Sequence, residues 1–170
     1  MFNGSTAAFQ ALREEFESPY PLQNSLKMLY QIRSLTDKFA PFLRDDPVRP
    51  HIDHKLRIGE KQYIFAAVEE NKPNAITCIS LTDNIPQIEE ELFDHTEPTV
   101  AVFYTIWSYA PGSGRQLIFD SVQYIKLQNR NISRFVTLSP KTEMAHKFHT
   151  KNGAVVLREN SKTVNYEYRV

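Results

Sequence analysis

Apolar side chains follow two different spacings along the 170-residue chain, and the change of spacing divides it into an amino-terminal part and a sheet-forming part. Over residues 22–39 the apolar positions recur at helical spacing, with Pro21 suited to a first helical turn and Pro41 to a stop. This pattern predicts a helix there, and a further helix over residues 6–16. We expect residues 1–44 to form a helical segment, followed by a polar join at residues 44–50.

The next apolar segments are shorter and rich in β-branched residues, which favours strands. Residues 62–68 and 75–82 are separated by a turn that contains proline and asparagine, so they predict an antiparallel pair. Pro86 and the acidic residues after it predict a short helix. Residues 99–109 are apolar at almost every position, as expected of a central strand that is covered on both faces.

The carboxyl-terminal part alternates between helical and strand patterns. It predicts helices over residues 115–128 and 142–151, and strands over 133–138, 154–159 and 163–169. A strand–helix–strand order implies a right-handed parallel crossover, and the last two strands indicate an antiparallel edge. The expected fold is therefore of the α/β (α+β) class, a mixed sheet with helices on both faces in one domain that spans residues 1–170.

Composition excludes several classes of function. Twenty basic residues balance twenty acidic ones, so the overall positive charge of a non-specific nucleic-acid binder is missing. Cys78 is the only cysteine, which rules out an internal disulfide and indicates a reducing compartment such as the cytoplasm. No segment approaches the roughly 20 apolar residues of a membrane span, and the first residues lack a secretory signal pattern. We expect a cytoplasmic protein that binds neither nucleic acid nor membrane.

A glycine-containing loop follows the central strand, where a helix is predicted to begin. Glycine allows the backbone to approach a ligand closely, and the free amides at a helix N-terminus suit a pyrophosphate group. An ordinary turn that needs two flexible residues explains the same pattern equally well. The residues considered for binding here are Trp107, Ser108, Tyr109, Gly112, Ser113, Gly114 and Arg115.

Two motifs resemble the GNAT superfamily of N-acetyltransferases. Its acyl-coenzyme A loop, Gln/Arg-x-x-Gly-x-Gly/Ala between a bulged strand and a helix, is similar to Tyr109-x-x-Gly112-x-Gly114. The last helix of that superfamily carries Ala-x-x-Phe/Leu-Tyr-x-Lys-x-Gly, which residues 145–153 match except that His149 replaces the tyrosine. The resemblance implies a GNAT-like, mostly antiparallel sheet, with an acyl-CoA-binding catalytic core at residues 60–170. An imidazole, unlike a phenol, exchanges protons near neutral pH.

Several segments also resemble malonyl-CoA decarboxylase, itself a relative of these acetyltransferases, and they occur in the same order. They are residues 79–86, 101–106, 114–118, 137–140, 148–154 with Arg158 after them, and 164–168. By this resemblance Ser139 and His149 are the catalytic serine and histidine, and a coenzyme A thioester is the substrate, with no further cofactor. Family members carry a long helical insertion between these two residues, whereas nine residues separate them here.

A similar compact arrangement occurs in the decarboxylating, acetyltransferase-like domains of some polyketide synthases. The resemblance therefore allows either acyl-CoA or an acyl-carrier protein as the partner, and the amino-terminal helices can either cover the sheet or contact another subunit in a homo-oligomer. The leading hypothesis is a malonyl-CoA decarboxylase-like enzyme in which Ser139 and His149 stabilise and protonate an enolate. An acyl-CoA-dependent N-acetyltransferase and a non-catalytic acyl-CoA-binding or scaffolding domain are the alternatives.

Structural explanations compete with these functional ones. Ser139 and Pro140 could cap the next helix, with Thr142 as the alternative cap, and His149 could be a buried histidine satisfied by the backbone. His146 and His149 have metal-ligand spacing, as do two earlier histidines, but without a third ligand we predict no metal site.

Two further residue sets have simple structural interpretations. Cys78 is expected to be a small buried apolar residue rather than a nucleophile. Strand alternation predicts that Phe103, Trp107 and Tyr109 share one face, with Trp107 and Ser108 able to flank a pantetheine arm.

Overall fold

The computed structural model describes residues 27–170, which form one mixed eight-stranded sheet with two α-helices and three short 3-10 helices. The strands are β1 (Lys27–Gln31), β2 (Gln62–Glu69), β3 (Lys72–Thr82), β4 (Val100–Ser108), β5 (Arg134–Thr137), β6 (Ser139–Pro140), β7 (Val155–Glu159) and β8 (Thr163–Tyr168). The helices are α1 (Ser113–Gln128) and α2 (Glu143–Lys151), and the 3-10 helices are Ala40–Asp45, His54–Arg57 and Glu89–Phe93. The strand order is β1-β2-β3-β4-β5-β8-β6, with β7 paired to β8.

Most elements predicted from the pattern are confirmed. β2 and β3 pair antiparallel across a turn whose central residues, Glu70 and Asn71, have φ values of 53° and 61°. Such left-handed pairs match the twist of a hairpin. β4 and β5 pair in parallel, joined by α1, as the strand–helix–strand order predicted. The remaining pairings between neighbouring strands are antiparallel.

The predicted helix over residues 22–39 is wrong within the described part of the chain. Residues 27–31 form the edge strand β1, which pairs antiparallel with β2 over five residues. Its apolar side chains alternate, so that Leu29 packs on one face of the sheet and Tyr30 on the other. Pairing with an existing strand overrides helical spacing here. The helix predicted over residues 6–16 lies outside the described residues.

Helical elements cover both faces of the sheet, but within residues 27–170 only one face carries α-helices. α1 contributes Leu117, Ile118, Val122 and Ile125 to the core on that face, and Phe148 of α2 packs against the same core. On the other face, Ala40, Leu43 and Leu92 from two of the 3-10 helices fill the core. The predicted helices on both faces are thus confirmed, with the second face covered by 3-10 turns.

A β-bulge lies in the middle of β4. Phe103 pairs with Ile79 and Thr105 pairs with Cys78, so Tyr104 is an extra residue on the β4 side. A bulge shifts the alternation of the side chains that follow it. Phe103 therefore packs on the α1 face and Trp107 on the opposite face, and the prediction that they share a face is wrong.

Two further observations concern the remaining sequence expectations. Cys78 is fully buried, as predicted, and burial raises the pKa of its thiol to about 11. None of the helices within residues 27–170 combines the length and the apolar character that crossing a bilayer takes.

Candidate active site

A cleft of about 670 Å³ opens where β4 and β5 diverge. Val100–Phe103 of β4 pairs with Arg134–Thr137 of β5. The last hydrogen bond between the two segments is donated by the Leu138 amide to the Phe103 carbonyl, at 3.1 Å. β4 then continues for five more residues without β5 beside it. The cleft is lined by the second half of β4, the start of α1, β6, α2 and the loop at Pro47 and Val48.

His149 faces this cleft from α2 and is only 4 % exposed. Its ring stacks on Tyr166 at a centroid distance of 5.0 Å, and its Nδ1 lies 2.7 Å from the Tyr168 hydroxyl. Burial lowers the pKa of His149 to about 4. The imidazole is therefore neutral at physiological pH.

The contact with Tyr168 determines which ring nitrogen carries the proton. Burial raises the pKa of Tyr168 above its usual range, so the phenol keeps its proton and needs an acceptor. Within residues 27–170, Nδ1 of His149 is the partner found for that hydroxyl. A phenol that donates to Nδ1 leaves the ring proton on Nε2. On this basis we assign the ring proton of the neutral imidazole to Nε2, with the Tyr168 hydroxyl as the donor to Nδ1.

Ser139 lines the same cleft from the two-residue strand β6. It is 4 % exposed, and its hydroxyl donates to Thr137 Oγ1 at 2.7 Å, while its own lone pairs have no donor among the described residues. Thr137 Oγ1 is fixed in turn by the Tyr166 amide at 3.1 Å. The N-cap of α2 is Thr142, whose Oγ1 accepts from the Ala145 amide at 3.1 Å, so Ser139 does not cap the helix.

The glycine loop leads into α1 with a left-handed residue. Gly112 has a φ of 80°, which a residue with a Cβ adopts only under strain, and no atom lies within 4 Å of the position where a Cβ would be. Within residues 27–170, the amides of Gly114 and Arg115 have no backbone acceptor. The loop therefore presents free N–H groups at the start of a 16-residue helix, a geometry that suits a phosphate.

The two residues that follow Gly112 have structural contacts of their own. The Ser113 hydroxyl donates to the carbonyls of Asn74 and Ala110, at 2.9 and 2.6 Å. A Cβ on Gly114 would lie 3.1 Å from two ring carbons of Phe148, so glycine at this position allows α1 and α2 to pack closely.

The predicted binding residues separate into two groups. Trp107, Ser108 and Gly114 line the cleft, together with Ser139 and His149. The others lie outside its lining: Tyr109, Gly112, Ser113 and Arg115.

Two of the residues outside the lining have well-defined partners. The Tyr109 hydroxyl donates to Asp45 Oδ2 at 2.5 Å and accepts from Trp107 Nε1 at 3.0 Å, and burial together with the Asp45 contact raises the pKa of Tyr109 to about 12. Arg115 donates to Asn152 Oδ1 at 3.3 Å, near the end of α2.

One wall of the cleft was not predicted. Pro47 and Val48 belong to the segment interpreted as a join between two parts of the chain, yet they line the cleft. The buried carboxylate of Asp46 fixes this loop, because it accepts from the Val48 amide at 2.8 Å and from Thr105 Oγ1 at 2.6 Å. The signal was an aspartate directly before a proline, which is typical of a turn fixed by its own side chain.

Asp46 also forms a fully buried ion pair with Arg57, at 2.7 Å. Burial raises the pKa of Asp46, but the hydrogen bonds from Thr105, the Arg49 amide and Arg57 outweigh it and lower the pKa below its usual value. Arg49 donates to the carbonyl of the bulge residue Tyr104 at 2.5 Å. This network therefore attaches the loop to β4 at the bulge.

The cleft contains no formal charge from the described residues. No aspartate, glutamate, lysine or arginine of residues 27–170 contributes to its lining. Within the same residues, no three side chains of the histidine, cysteine, aspartate and glutamate types are grouped to hold a metal ion. The chemistry that this lining offers is that of neutral donors and acceptors on an apolar surface.

Comparisons with known proteins identify the fold. Malonyl-CoA decarboxylase from Agrobacterium vitis superposes with a TM-score of 0.59 at 22% sequence identity, over 79% of this chain and 39% of that protein. The loading GNATL domain of CurA from Lyngbya majuscula superposes with a TM-score of 0.63 at 15% sequence identity, over 84% of this chain and 97% of that domain. A Bacillus subtilis acetyltransferase in complex with CoA superposes with a TM-score of 0.58 at 12% sequence identity, over 85% of this chain and 99% of that protein.

The chain has the GNAT fold. This confirms the fold expected from the two motifs, and the bulged β4 and its glycine loop are where the resemblance placed them. The chain spans about two fifths of the length of the decarboxylase. No protein-family model and no curated protein matches the sequence.

Proposed function

We propose that this GNAT-fold protein is an enzyme that decarboxylates a malonyl thioester, with His149 and Ser139 as its catalytic residues. The observation that carries the proposal is that both side chains line one cleft at the split between β4 and β5. The fold is shared with malonyl-CoA decarboxylases and with an acetyltransferase that was solved with CoA. A fold alone does not fix the reaction, and the side chains in the cleft distinguish between the candidates.

The reaction breaks the bond between the α-carbon of the malonyl group and its carboxylate. Carbon dioxide leaves, and the electron pair of that bond moves into the thioester as an enolate. The enolate needs a donor at its oxygen and then a proton at its carbon. Nε2–H of His149 can donate to the enolate oxygen and then transfer its proton to the α-carbon. The Tyr168 hydroxyl passes its own proton to Nδ1 as this happens, so the ring stays neutral, and a proton from solvent then restores Tyr168. A positioned acid of this kind contributes roughly 10²–10⁴-fold in rate.

Ser139 holds the reacting group in place in this scheme. Its hydroxyl proton is directed to Thr137 Oγ1, and the residue lines the cleft. Rotation about the Cβ–Oγ bond lets the same hydroxyl donate to the carboxylate or to the thioester oxygen when substrate is present. A donor aimed at a developing oxyanion stabilises the transition state by about 3–4 kcal/mol.

The thioester carrier has a place at the start of α1. The free amides of Gly114 and Arg115 can bind the phosphates of a pantetheine carrier, and Trp107 and Ser108 line the path from there to His149. We propose coenzyme A as the carrier, with a carrier-protein pantetheine as the alternative because it has the same chemistry at its reactive end.

The charge-free lining favours decarboxylation over amine acetylation. An acetyltransferase must bind an acceptor amine, which is positively charged in water, and remove a proton from it. No carboxylate of residues 27–170 lines the cleft to pair with such an ammonium. With the ring proton assigned to Nε2, His149 enters the reaction as a donor rather than as a base.

Turnover of malonyl-CoA tests the proposal. Purified protein should convert malonyl-CoA to acetyl-CoA and carbon dioxide. Mass spectrometry detects the products, and a panel of other acyl thioesters is tested in the same way. His149→Asn keeps a polar atom near Tyr168 and removes Nε2, and it should lower turnover by roughly 100-fold or more. His146→Asn is the matched control and should remain active, because His146 is an exposed residue of α2 that does not line the cleft.

Three results would contradict it. Wild-type turnover equal to that of His149→Asn would exclude His149 as a catalytic residue. Acetyl transfer to an amine without loss of carbon dioxide from malonyl-CoA would assign the site to an acetyltransferase. Tight binding of acyl-CoA with no turnover of any thioester would assign it to a binding domain.

A further inference from the structure

The cleft is built almost entirely from uncharged groups. Within the described part of the chain its lining has no aspartate, glutamate, lysine or arginine, and its one imidazole is neutral because burial lowers the pKa of His149 to about 4. Most of the wall is apolar, with contributions from Val48, Trp107, Leu138, Met144, Ala145 and Phe148. A malonyl group, however, ends in a carboxylate.

The buried arginines beside the cleft are held by other partners. Arg57 pairs with Asp46 at 2.7 Å and is fully buried, and it does not line the cleft. Arg49 pairs with Glu89 at 3.0 Å on the outer side of the loop. Neither can turn towards a substrate without leaving a buried carboxylate or carbonyl unpaired, which is costly.

We infer that the cleft receives the carboxylate of a malonyl-type thioester without an ion-pair partner, and that this unpaired state promotes the loss of carbon dioxide. The inference rests on the proposed function and extends it to the cause of the rate acceleration. It also defines the substrate class as a thioester with a carboxylate on its α-carbon, and the favoured product as the neutral acyl thioester.

The physical reason is a change in where the charge lies. A carboxylate moved from water to an apolar site is destabilised unless it is paired. As the carbon–carbon bond breaks, the charge moves from the carboxylate to the thioester oxygen, where Nε2–H of His149 is available as a donor. The leaving carbon dioxide is neutral and suits the apolar wall. An environment that disfavours the starting charge more than the transition-state charge raises kcat.

A lysine placed in the lining tests this directly. Met144 lines the cleft and is 81 % exposed, so Met144→Lys adds a cation without disturbing the core. It should bind malonyl-CoA more tightly, lowering KM, and at the same time reduce kcat roughly tenfold, because the starting carboxylate is now stabilised. Met144→Gln adds polarity without charge at the same position and should not reproduce the combined fall of KM and kcat that is expected of the lysine.

Leu127→Lys is the matched control for the charge itself. Leu127 is also an apolar residue on a helix, and its side chain is 77 % exposed. It lies at the far end of α1 and does not line the cleft. Its substitution should change neither KM nor kcat. If Met144→Lys raises kcat while lowering KM, or if it behaves as Leu127→Lys does, the inference is wrong.

Binding measurements separate this inference from the proposed function. With the His149→Asn variant, which should not consume the ligand, calorimetry should show tighter binding of acetyl-CoA than of malonyl-CoA, and Met144→Lys in that background should reverse the order. Tighter binding of malonyl-CoA before the lysine is introduced would overturn the inference. If wild-type protein releases no carbon dioxide, the proposed function fails, while the order of affinities still shows whether the cleft disfavours a carboxylate.

Discussion

The Tyr168 hydroxyl lies 2.7 Å from Nδ1 of His149, and this contact sets the donor that the cleft receives. Both residues are buried, and their rings meet at 73° with centroids 5.8 Å apart. The arrangement holds the imidazole by one nitrogen and leaves the other for chemistry. Tyr168 is therefore a positioning residue, since it acts through His149 and does not line the cleft itself.

Tyr168→Phe should lower kcat for malonyl-CoA by roughly tenfold with little change in KM, because substrate contacts remain while the preferred tautomer is lost. Nitrogen NMR of the His149 ring should show Nε2 protonated in the wild type and a mixture of tautomers in the variant. Tyr166→Phe keeps the ring that stacks on His149 and is the control. An unchanged tautomer in Tyr168→Phe would contradict the assignment.

The buried His149 should make the protein less stable in mild acid. In the unfolded chain its imidazole takes up a proton near pH 6.5, whereas burial lowers the pKa of the folded state to about 4. Between these values the unfolded state binds more protons, so stability falls as pH decreases. From pH 7 to pH 5 this group should cost about 2 kcal/mol of unfolding free energy.

Urea unfolding at both pH values measures this loss. His149→Asn should show a correspondingly smaller loss of stability, while His146→Asn should follow the wild type. Equal pH dependence in wild type and His149→Asn would show that the imidazole is not held neutral by the fold.

Gly114→Ala should destabilise the protein by about 1–3 kcal/mol, because the new methyl group would lie 3.1 Å from the Phe148 ring. Pairing it with Phe148→Leu should recover part of this loss, and a double-mutant cycle from thermal or urea unfolding gives the coupling. Gly112→Ala is the contrast, since its strain comes from a φ of 80° and Phe148→Leu should not relieve it. Additive effects for Gly114 and Phe148 would contradict the close contact.

Asp46→Asn should lower the free energy of unfolding by about 3–5 kcal/mol, because it leaves the fully buried Arg57 without its counter-charge. The neighbouring Asp45→Asn removes an exposed acceptor of Tyr109 and should cost less than about 1 kcal/mol. Urea unfolding of the two variants provides the comparison. Similar losses for both would show that the ion pair does not anchor the loop at Pro47 and Val48.

Strong local patterns predicted most of the sheet. β2, β3 and β4 were found because long runs of apolar and β-branched residues are bounded by clear turns. α1 was found because a loop with proline and glycine leads into it, and α2 because a threonine precedes it and a glycine follows it. The edge strand β1 was predicted as a helix, since its five residues have no pattern that distinguishes the two. Only pairing with β2, more than thirty residues later, determines its conformation.

The site was predictable where it is carried by short motifs, and not where it depends on distant pairs. Ser139 and His149 were named from segments of the sequence, and the fold brings both to one cleft. The Asp46–Arg57 pair and the Tyr168 contact join residues from separate elements, and no local spacing signals them. The bulge at Tyr104 is also invisible in the sequence, because one extra residue leaves an apolar run apolar.

That extra residue divides β4 into two halves, and the alternation of side chains between the two faces of the sheet shifts by one residue from the first half to the second. Removing one residue after the bulge, Ile106, would carry Trp107 to the face on which Ile106 now packs and so remodel both walls of the cleft at once. The same deletion in the segment before Val100 would be absorbed by a loop. The length of the strand beyond Tyr104 is thus under a tighter constraint than its composition.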